Sequence, residues 1–171
     1  MSGDFDGKVV VVTGASTGLG RSIAVQIAER GAKAVVINFA SSTAEAEETA
    51  AQVRGHGAEA VLVQADVGED TGCRKIAEAA GKFDRVDALF NNAGTTKFAN
   101  NHADMDAVSA EDFLRLYQIN VIGAFQMIRA ARSLLEAGEA PGAVVNTSSI
   151  AACWASVRRC LMRPRRARST P

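Results

Sequence analysis

Short apolar runs alternate with longer amphipathic stretches along most of this chain of 171 residues. Five runs are apolar, rich in β-branched residues and bounded by glycine or polar residues, a pattern typical of buried strands. They read KVVVVTG, AVVINF, AEAVLVQADV, VDALFNNAG and GAVVNTSS. Three intervening stretches are predicted to be helices: LGRSIAVQIAERGA, STAEAEETAAQVRGHG and EDTGCRKIAEAAGKF. The chain therefore alternates strand with helix from its first apolar run.

A fourth, longer helix is predicted from about Glu111 to Ala137, after a polar loop. Ser109, followed three residues later by Asp112, forms a weaker relative of the capping box at its start. Apolar residues at spacings of three, four and seven mark one face of this helix: Phe113, Tyr117, Ala124, Ile128 and Leu135.

Alternation of helices with continuously apolar strands predicts a parallel sheet covered on both faces. Right-handed crossovers then favour an α/β fold, a Rossmann-type doubly wound parallel sheet in three layers (α/β/α), with strand order 3-2-1-4-5. We divide the chain into this Rossmann-type domain, residues 1–152, and an Arg-rich tail, residues 153–171.

Charge changes at the same boundary. Residues 1–152 hold all 19 acidic residues, whereas residues 153–171 hold six arginines and no acid. With 47% hydrophobic and 22% charged residues, the composition is that of a soluble globular protein. The three cysteines follow no metal-ligand spacing, so we expect no metal site and a reduced, cytoplasmic setting. We find no secretory signal and no apolar run that could span a bilayer.

The loop TGASTGLG, Thr13 to Gly20, joins the first strand to the first helix. Gly14 permits a tight turn, and Gly18 and Gly20 allow a pyrophosphate and the sheet to approach the backbone. The helix N-terminus offers free N–H groups and a positive dipole end to a phosphate. A glycine-rich turn that binds nothing is the alternative, but the strand–helix context favours a dinucleotide site.

This loop, T-G-x-x-x-G-x-G, resembles that of the short-chain dehydrogenase/reductase family. Four further segments match family motifs in the family's order: ADV (Ala65–Val67), NNAG (Asn91–Gly94), NVIGAF (Asn120–Phe125) and VVNTSS (Val144–Ser149). The resemblance covers residues 8 to about 152 and is nearest to bacterial members of the classical branch. It implies an enzyme that uses NAD(P) to interconvert an alcohol and a carbonyl on a small molecule by hydride transfer.

The resemblance also implies which residues bind the cofactor. Asp66 and Val67 contact the adenine, and Asn92, Ala93 and Gly94 line the nicotinamide ribose. The phosphate loop contributes Gly14, Ser16, Thr17, Gly18, Leu19 and Gly20. Structural alternatives exist, because an Asp at a strand end can cap the next helix and Asn and Gly are common in turns.

The end of the second strand bears on the choice between NAD and NADP. An NAD-preferring site has an acidic residue there that binds the ribose 2′-hydroxyl, but the segment INFASS, Ile37 to Ser42, has none. Asn38 and Ser41 can instead donate to a 2′-phosphate, so we favour NADP(H) and keep NAD(H) as the alternative. Thr17 stands where many NADP-preferring relatives carry Arg. Arg21 either assists from one turn later or is a solvated surface charge.

The resemblance implies four catalytic residues: a serine, a tyrosine, a lysine and an asparagine. Ser149 matches the serine, with Ser148 as the alternative, and Asn120 matches the asparagine. The structural alternatives are a hydroxyl that ends a strand and an amide that bonds backbone at a helix kink. The Tyr-x-x-x-Lys pair is missing, since its positions fall near Met162 and Arg166. Methionine has no proton to donate, and arginine stays protonated.

Impaired activity is therefore expected. The alternative is a catalytically inactive dinucleotide-binding module with a regulatory or scaffold role, and nucleic-acid binding ranks third.

We interpret the tail as an out-of-frame translation, which predicts Tyr-x-x-x-Lys in a neighbouring reading frame of the gene. A basic binding arm and a disordered appendage are the alternatives. The resemblance implies further elements beyond about residue 152, so we expect a C-terminally incomplete fold, an incomplete version of the family's homo-oligomer interface, and no membrane partner.

Overall fold

A single parallel sheet organises the chain in the computed structural model, which describes residues 3–98, 101 and 104–149. Its strand order is β3-β2-β1-β4-β5, and every pairing in it is parallel. The strands are β1 (Val9–Val12), β2 (Ala34–Phe39), β3 (Glu59–Gln64), β4 (Ala88–Asn91) and β5 (Ala143–Asn146). The predicted Rossmann-type sheet and its strand order are confirmed.

Five α-helices flank the sheet within the described residues: α1 (Gly18–Glu29), α2 (Thr43–Gly55), α3 (Asp70–Gly81), α4 (Ala110–Tyr117) and α5 (Ala124–Leu135). Alternate side chains of β1 enter two different cores, as the period of two in a strand requires. Val10 and Val12 pack with residues of α1 and α2, whereas Val11 packs with residues of α3 and α5. The sheet is therefore covered on both faces, in three layers.

The long helix differs from its prediction. A single helix was predicted from about Glu111 to Ala137, but a π-helical segment (Gln118–Gly123) separates α4 from α5. The capping box at Ser109 is confirmed, because its hydroxyl accepts from the Asp112 N–H at 3.2 Å and the Asp112 carboxylate accepts from the Ser109 N–H at 3.1 Å.

The predicted apolar face of that helix is divided at the π-helical segment. Phe113 and Tyr117 are 66% and 57% exposed, whereas Leu135, in α5, is buried. A π-helical turn places an extra residue in the helix and rotates the side chains that follow it. One stripe at regular α-helical spacing therefore cannot continue through residues 118–123.

Strand β5 is more exposed than the apolar run predicts. Val144 and Val145 are 38% and 43% exposed, although they pair in register with Leu89 and Phe90 of β4. Within the part of the chain that the structure describes, β5 is the last strand of the sheet and pairs with β4 alone. The predicted Arg-rich tail, residues 153–171, and residues 150–152 lie outside the described residues.

Within the residues described, we find no helix whose length and hydropathy would allow it to cross a membrane.

Candidate functional site

The carboxyl ends of all five strands lie at one edge of the sheet, because every pairing is parallel. β1 pairs with β2 on one side and with β4 on the other, so the strand order reverses beside β1. A crevice at such a reversal is where open α/β sheets bind ligands. Most of the predicted site residues fall in the loops that follow β1, β2, β3 and β4 at this edge.

The phosphate loop has the backbone that its glycines predict. Gly14 and Gly18 have φ angles of 61° and 56°, in the left-handed region that favours glycine. A Cβ on Gly14 would lie 2.8 Å from the Ala93 Cα. A Cβ on Gly20 would lie 2.5 Å from the Asn92 Nδ2 and closer still to the Gly14 carbonyl oxygen. The loops after β1 and β4 thus touch through positions that leave no room for a side chain.

The N-terminus of α1 opens onto this edge. Thr17 is its N-cap residue but makes no side-chain capping bond, and the first turn contains no acidic residue. Thr17, Gly18 and Leu19 are exposed, whereas Ser16 is buried. The first N–H groups of a helix have no intrahelical acceptor and favour an anion. This end of α1 can therefore receive a phosphate group.

Arg21 makes hydrogen bonds within the protein that the sequence did not indicate. Its Nε donates to the Ser16 carbonyl and to the Thr49 hydroxyl, both at 2.9 Å. Its terminal nitrogen donates to the Glu45 carbonyl at 2.9 Å and lies 3.2 Å from the Glu48 carboxylate. The guanidinium therefore ties the phosphate loop to α2 through Nε and one terminal nitrogen.

Asn38 also differs from its predicted role as a donor to a 2′-phosphate. It is 1% exposed, and its Nδ2 donates to the Val63 and Ala65 carbonyls at 3.2 and 2.9 Å. Its Oδ1 accepts from the Gly14 N–H at 3.2 Å. Both amide hydrogens are thus used inside the protein, where they join β2 to β3. Ser41 is exposed in the loop that follows β2.

Asp66 turns the loop after β3 and does not cap α3. Its Oδ1 accepts from the Gly68 N–H at 2.8 Å, whereas the N-cap residue of α3 is Glu69.

Val67 is buried, and its carbonyl accepts from the Cys73 thiol at 3.3 Å. Burial and, to a lesser degree, the charge of Asp70 raise the pKa of Cys73 to about 11, so its thiol stays protonated and acts as a donor.

Thr13 connects the loops after β1 and β4, although it was absent from the predicted site. Its hydroxyl accepts from the N–H groups of Asn92 and Ala93, both at 3.0 Å. The Asn92 side chain donates in return to the carbonyls of Thr13 and Gly14, at 3.0 and 3.1 Å. The signal in the sequence was the threonine directly before Gly14, since a hydroxyl there can accept bonds that an apolar strand residue cannot.

Replacing Thr13 with valine should lower stability, because the side chain keeps its shape while the Ala93 N–H loses its acceptor. An unsatisfied buried donor costs about 1–3 kcal/mol, which corresponds to a fall of roughly 2–10 °C in the melting temperature. Thermal denaturation, followed by circular dichroism, measures the change in melting temperature. Thr13→Ser keeps the hydroxyl and serves as the control, and equal melting temperatures for the two variants would refute the role of the hydrogen bonds.

Asn120 lies in the π-helical segment and bonds a distant loop. Its Oδ1 accepts from the Thr95 N–H at 2.8 Å, and its Nδ2 donates to the Thr95 carbonyl at 2.9 Å. A Cβ on Gly94 would lie 3.3 Å from the same Oδ1. The side chain therefore anchors the loop after β4, and the alternative of an amide that bonds only neighbouring helix backbone does not fit.

Ser148 and Ser149 are exposed and follow β5 at the same edge. The preceding residue, Thr147, donates its N–H to the Asn91 carbonyl at 2.9 Å and its hydroxyl to the Asn92 Oδ1 at 3.4 Å. The backbone before Ser149 thus lies against the loop that contains Asn92. The positions predicted for the tyrosine and lysine, Met162 and Arg166, lie outside the described residues.

Comparison with known proteins places this geometry in a family. The family model of short chain dehydrogenases matches residues 8–160. An uncharacterized oxidoreductase of Methylorubrum extorquens is 40% identical over 147 residues, which cover 85% of this chain and 56% of that protein. Versicolorin reductase 1 of Aspergillus parasiticus is 39% identical over 150 residues, 87% of this chain and 54% of that one.

A solved structure shares the fold. The short chain dehydrogenase/reductase of Burkholderia phymatum, in complex with NAD, superposes with a TM-score of 0.76 at 35% identity, over 86% of this chain and 51% of that one. The chain thus spans about half the length of the curated relatives and of the structure that it matches.

Proposed function

This chain belongs to the short-chain dehydrogenase family, and on that premise we propose that it binds NADP(H) at the carboxyl edge of its sheet. The bound cofactor would serve an oxidoreductase reaction that interconverts an alcohol and a carbonyl on a small molecule. The observation that carries the proposal is the open N-terminus of α1 beside the Gly14–Gly20 loop. When bound, the nicotinamide supplies or accepts the hydride.

The proposal gives the dinucleotide a direction along this edge. The α1 N-terminus would hold the pyrophosphate, and the Asp66 carboxylate, fixed through one oxygen by Gly68, would accept from the adenine amino group with the other. The segment from Asn92 to Gly94 would line the nicotinamide ribose, held in place by Thr13 and Asn120. These roles come from the family resemblance, and the geometry supports them.

The preference for NADP(H) rests on the loop after β2. The nearest acidic residue that follows Asn38 is Glu45, in the first turn of α2, and no carboxylate lies between them in the sequence. The exposed Ser41 is the candidate donor to a 2′-phosphate, because the amide of Asn38 is committed to bonds within the protein.

Titration of the 171-residue chain with NADPH and with NADH, followed by nicotinamide fluorescence, tests the proposal. We expect saturable binding of both, with NADPH binding about tenfold more tightly. No saturable binding of either would overturn the dinucleotide site, and tighter binding of NADH would overturn the preference for NADP(H). The measurement should be repeated at two salt concentrations, because charge contributes to any 2′-phosphate contact.

A catalytically inactive dinucleotide-binding module is the second candidate, and one observation favours it. The sequence contains no tyrosine or lysine after Ser149, so the usual proton donor and its cation are missing from the positions where the family has them. Incubating the chain with NADPH and a panel of small ketones, and following nicotinamide absorbance, separates the two candidates. Turnover above background would exclude the inactive module, whereas binding without turnover supports it.

A further inference from the structure

The π-helical segment touches the loops at both ends of the proposed dinucleotide site. Gln118 Nε2 donates to the Gly68 carbonyl at 2.6 Å, in the loop that holds Asp66. Two residues later, Asn120 bonds both peptide groups of Thr95, in the loop that follows β4. Residues two apart on a helix do not share a face, so the two side chains extend toward different loops.

Gly68 is held through both of the peptide groups that flank it. Its N–H donates to the Asp66 carboxylate at 2.8 Å, while its carbonyl accepts from Gln118. A Cβ on Gly68 would lie 3.3 Å from the Ile119 Cγ1, so the segment and the loop are in close contact there. A Cβ on Gly123 would lie 2.8 Å from the Val67 carbonyl oxygen, which makes a second close approach between the two.

We propose that Gln118 is a positioning residue for the adenine end of the dinucleotide. The inference rests on the proposed function. Gln118 fixes Gly68 through its carbonyl, and the N–H of the same residue, in the preceding peptide group, then sets the orientation of the Asp66 carboxylate. Asp66 then has one oxygen occupied and one directed to the adenine amino group. Gln118 itself contacts no part of the ligand. The π-helical segment thereby fixes the adenine loop relative to the loop anchored by Asn120.

A ligand pair that differs only at the adenine amino group tests this role. The probes are NADPH and its deamino analogue, in which hypoxanthine replaces adenine and presents no amino donor to Asp66. We expect the wild-type chain to bind NADPH about tenfold more tightly than the analogue. In Gln118→Ala, NADPH affinity should fall about five- to tenfold, the loss of one hydrogen bond, while affinity for the analogue stays within twofold.

Further variants separate positioning from general stability. Gln118→Met keeps the side-chain length but removes the donor, and it replaces the alanine variant if that variant folds poorly. We expect the same selective loss of NADPH affinity in it. Gln26→Ala, on the exposed side of α1, removes a glutamine that bonds its own helix and should leave both affinities unchanged. In an Asp66→Ala background, Gln118→Ala should change neither affinity, because its effect acts through Asp66.

The outcomes are distinguishable. If the wild-type chain binds neither ligand, the proposed function falls and the inference falls with it. If the wild-type chain binds NADPH and its deamino analogue with equal affinity, Asp66 does not bind the adenine amino group. The inference alone is then overturned. If Gln118 variants lower both affinities by the same factor, or lower neither, the side chain has only a structural role and the inference is again overturned.

Discussion

Replacing Gly20 with alanine is expected to lower the affinity of the chain for NADPH about a hundredfold. The new Cβ would lie 2.5 Å from the Asn92 Nδ2 and closer still to the Gly14 carbonyl oxygen. These are the atoms through which the loop after β4 bonds the phosphate loop. Because the obstructing carbonyl belongs to the backbone, the clash can be relieved only by moving the glycine loop away from the N-terminus of α1.

A second glycine substitution provides a matched control for this effect. Gly81 is the last residue of α3, and a Cβ there would meet no atom within 4 Å. Gly81→Ala should therefore bind NADPH as the wild-type chain does, and should be slightly more stable because alanine restricts the unfolded chain. Fluorescence titration at a temperature where both variants remain folded compares them. A Gly20→Ala affinity within threefold of the Gly81→Ala value would show that the close approach is not needed for binding.

The fold could be predicted from the sequence because its signals are long and mutually consistent. β1 and β2 read as continuous apolar runs, and both are fully buried between two helical layers. The phosphate loop could be predicted for a similar reason, since the positive φ angle of Gly14 and the crowded position of Gly20 both favour glycine. Hydrophobicity in the strands and the missing side chain of glycine in the loop can both be read directly from the sequence, and each determines the local structure.

Side-chain partners could not be predicted in the same way. Asn38 was interpreted as a donor to a 2′-phosphate, because the end of the second strand has no acidic residue. Arg21 was interpreted either as an assisting group or as a solvated surface charge. The structure directs Asn38 at two carbonyls near the end of β3, and Arg21 at Thr49 of α2. Those acceptors lie more than twenty residues away along the chain, and a single sequence contains no signal for contacts at such separations.

The π-helical segment was missed because helical periodicity assumes a constant number of residues per turn. Gln118 therefore appeared as an ordinary polar residue in a long helix, and its bond to Gly68 could not be foreseen. Asn120 was identified from its motif alone, and the structure adds the loop that it anchors. The parts of the site that escaped prediction are hydrogen-bonded connections between elements distant in sequence.

The buried environment of Asn38 leads to an expectation opposite to that from the sequence. An acidic residue at the end of the second strand normally favours NAD, so the sequence alone suggests Asn38→Asp as the substitution that reverses the cofactor preference. In this structure the new carboxylate would face the Val63 and Ala65 carbonyls at 1% exposure, and both donated hydrogen bonds would be lost. We expect a loss of at least about 3 kcal/mol in the free energy of unfolding, and a fall of roughly 6–12 °C in melting temperature.

Ser41→Asp introduces the same charge at an exposed position of the loop that follows β2. Its stability should stay within about 0.5 kcal/mol of the wild-type value, while its NADPH affinity falls at least about tenfold relative to NADH through repulsion of the 2′-phosphate. Thermal denaturation and parallel titrations with NADPH and NADH compare the two variants. If Asn38→Asp has the melting temperature of the wild-type chain and prefers NADH, the Asn38 amide is not the internal connection between β2 and β3 that its hydrogen bonds indicate.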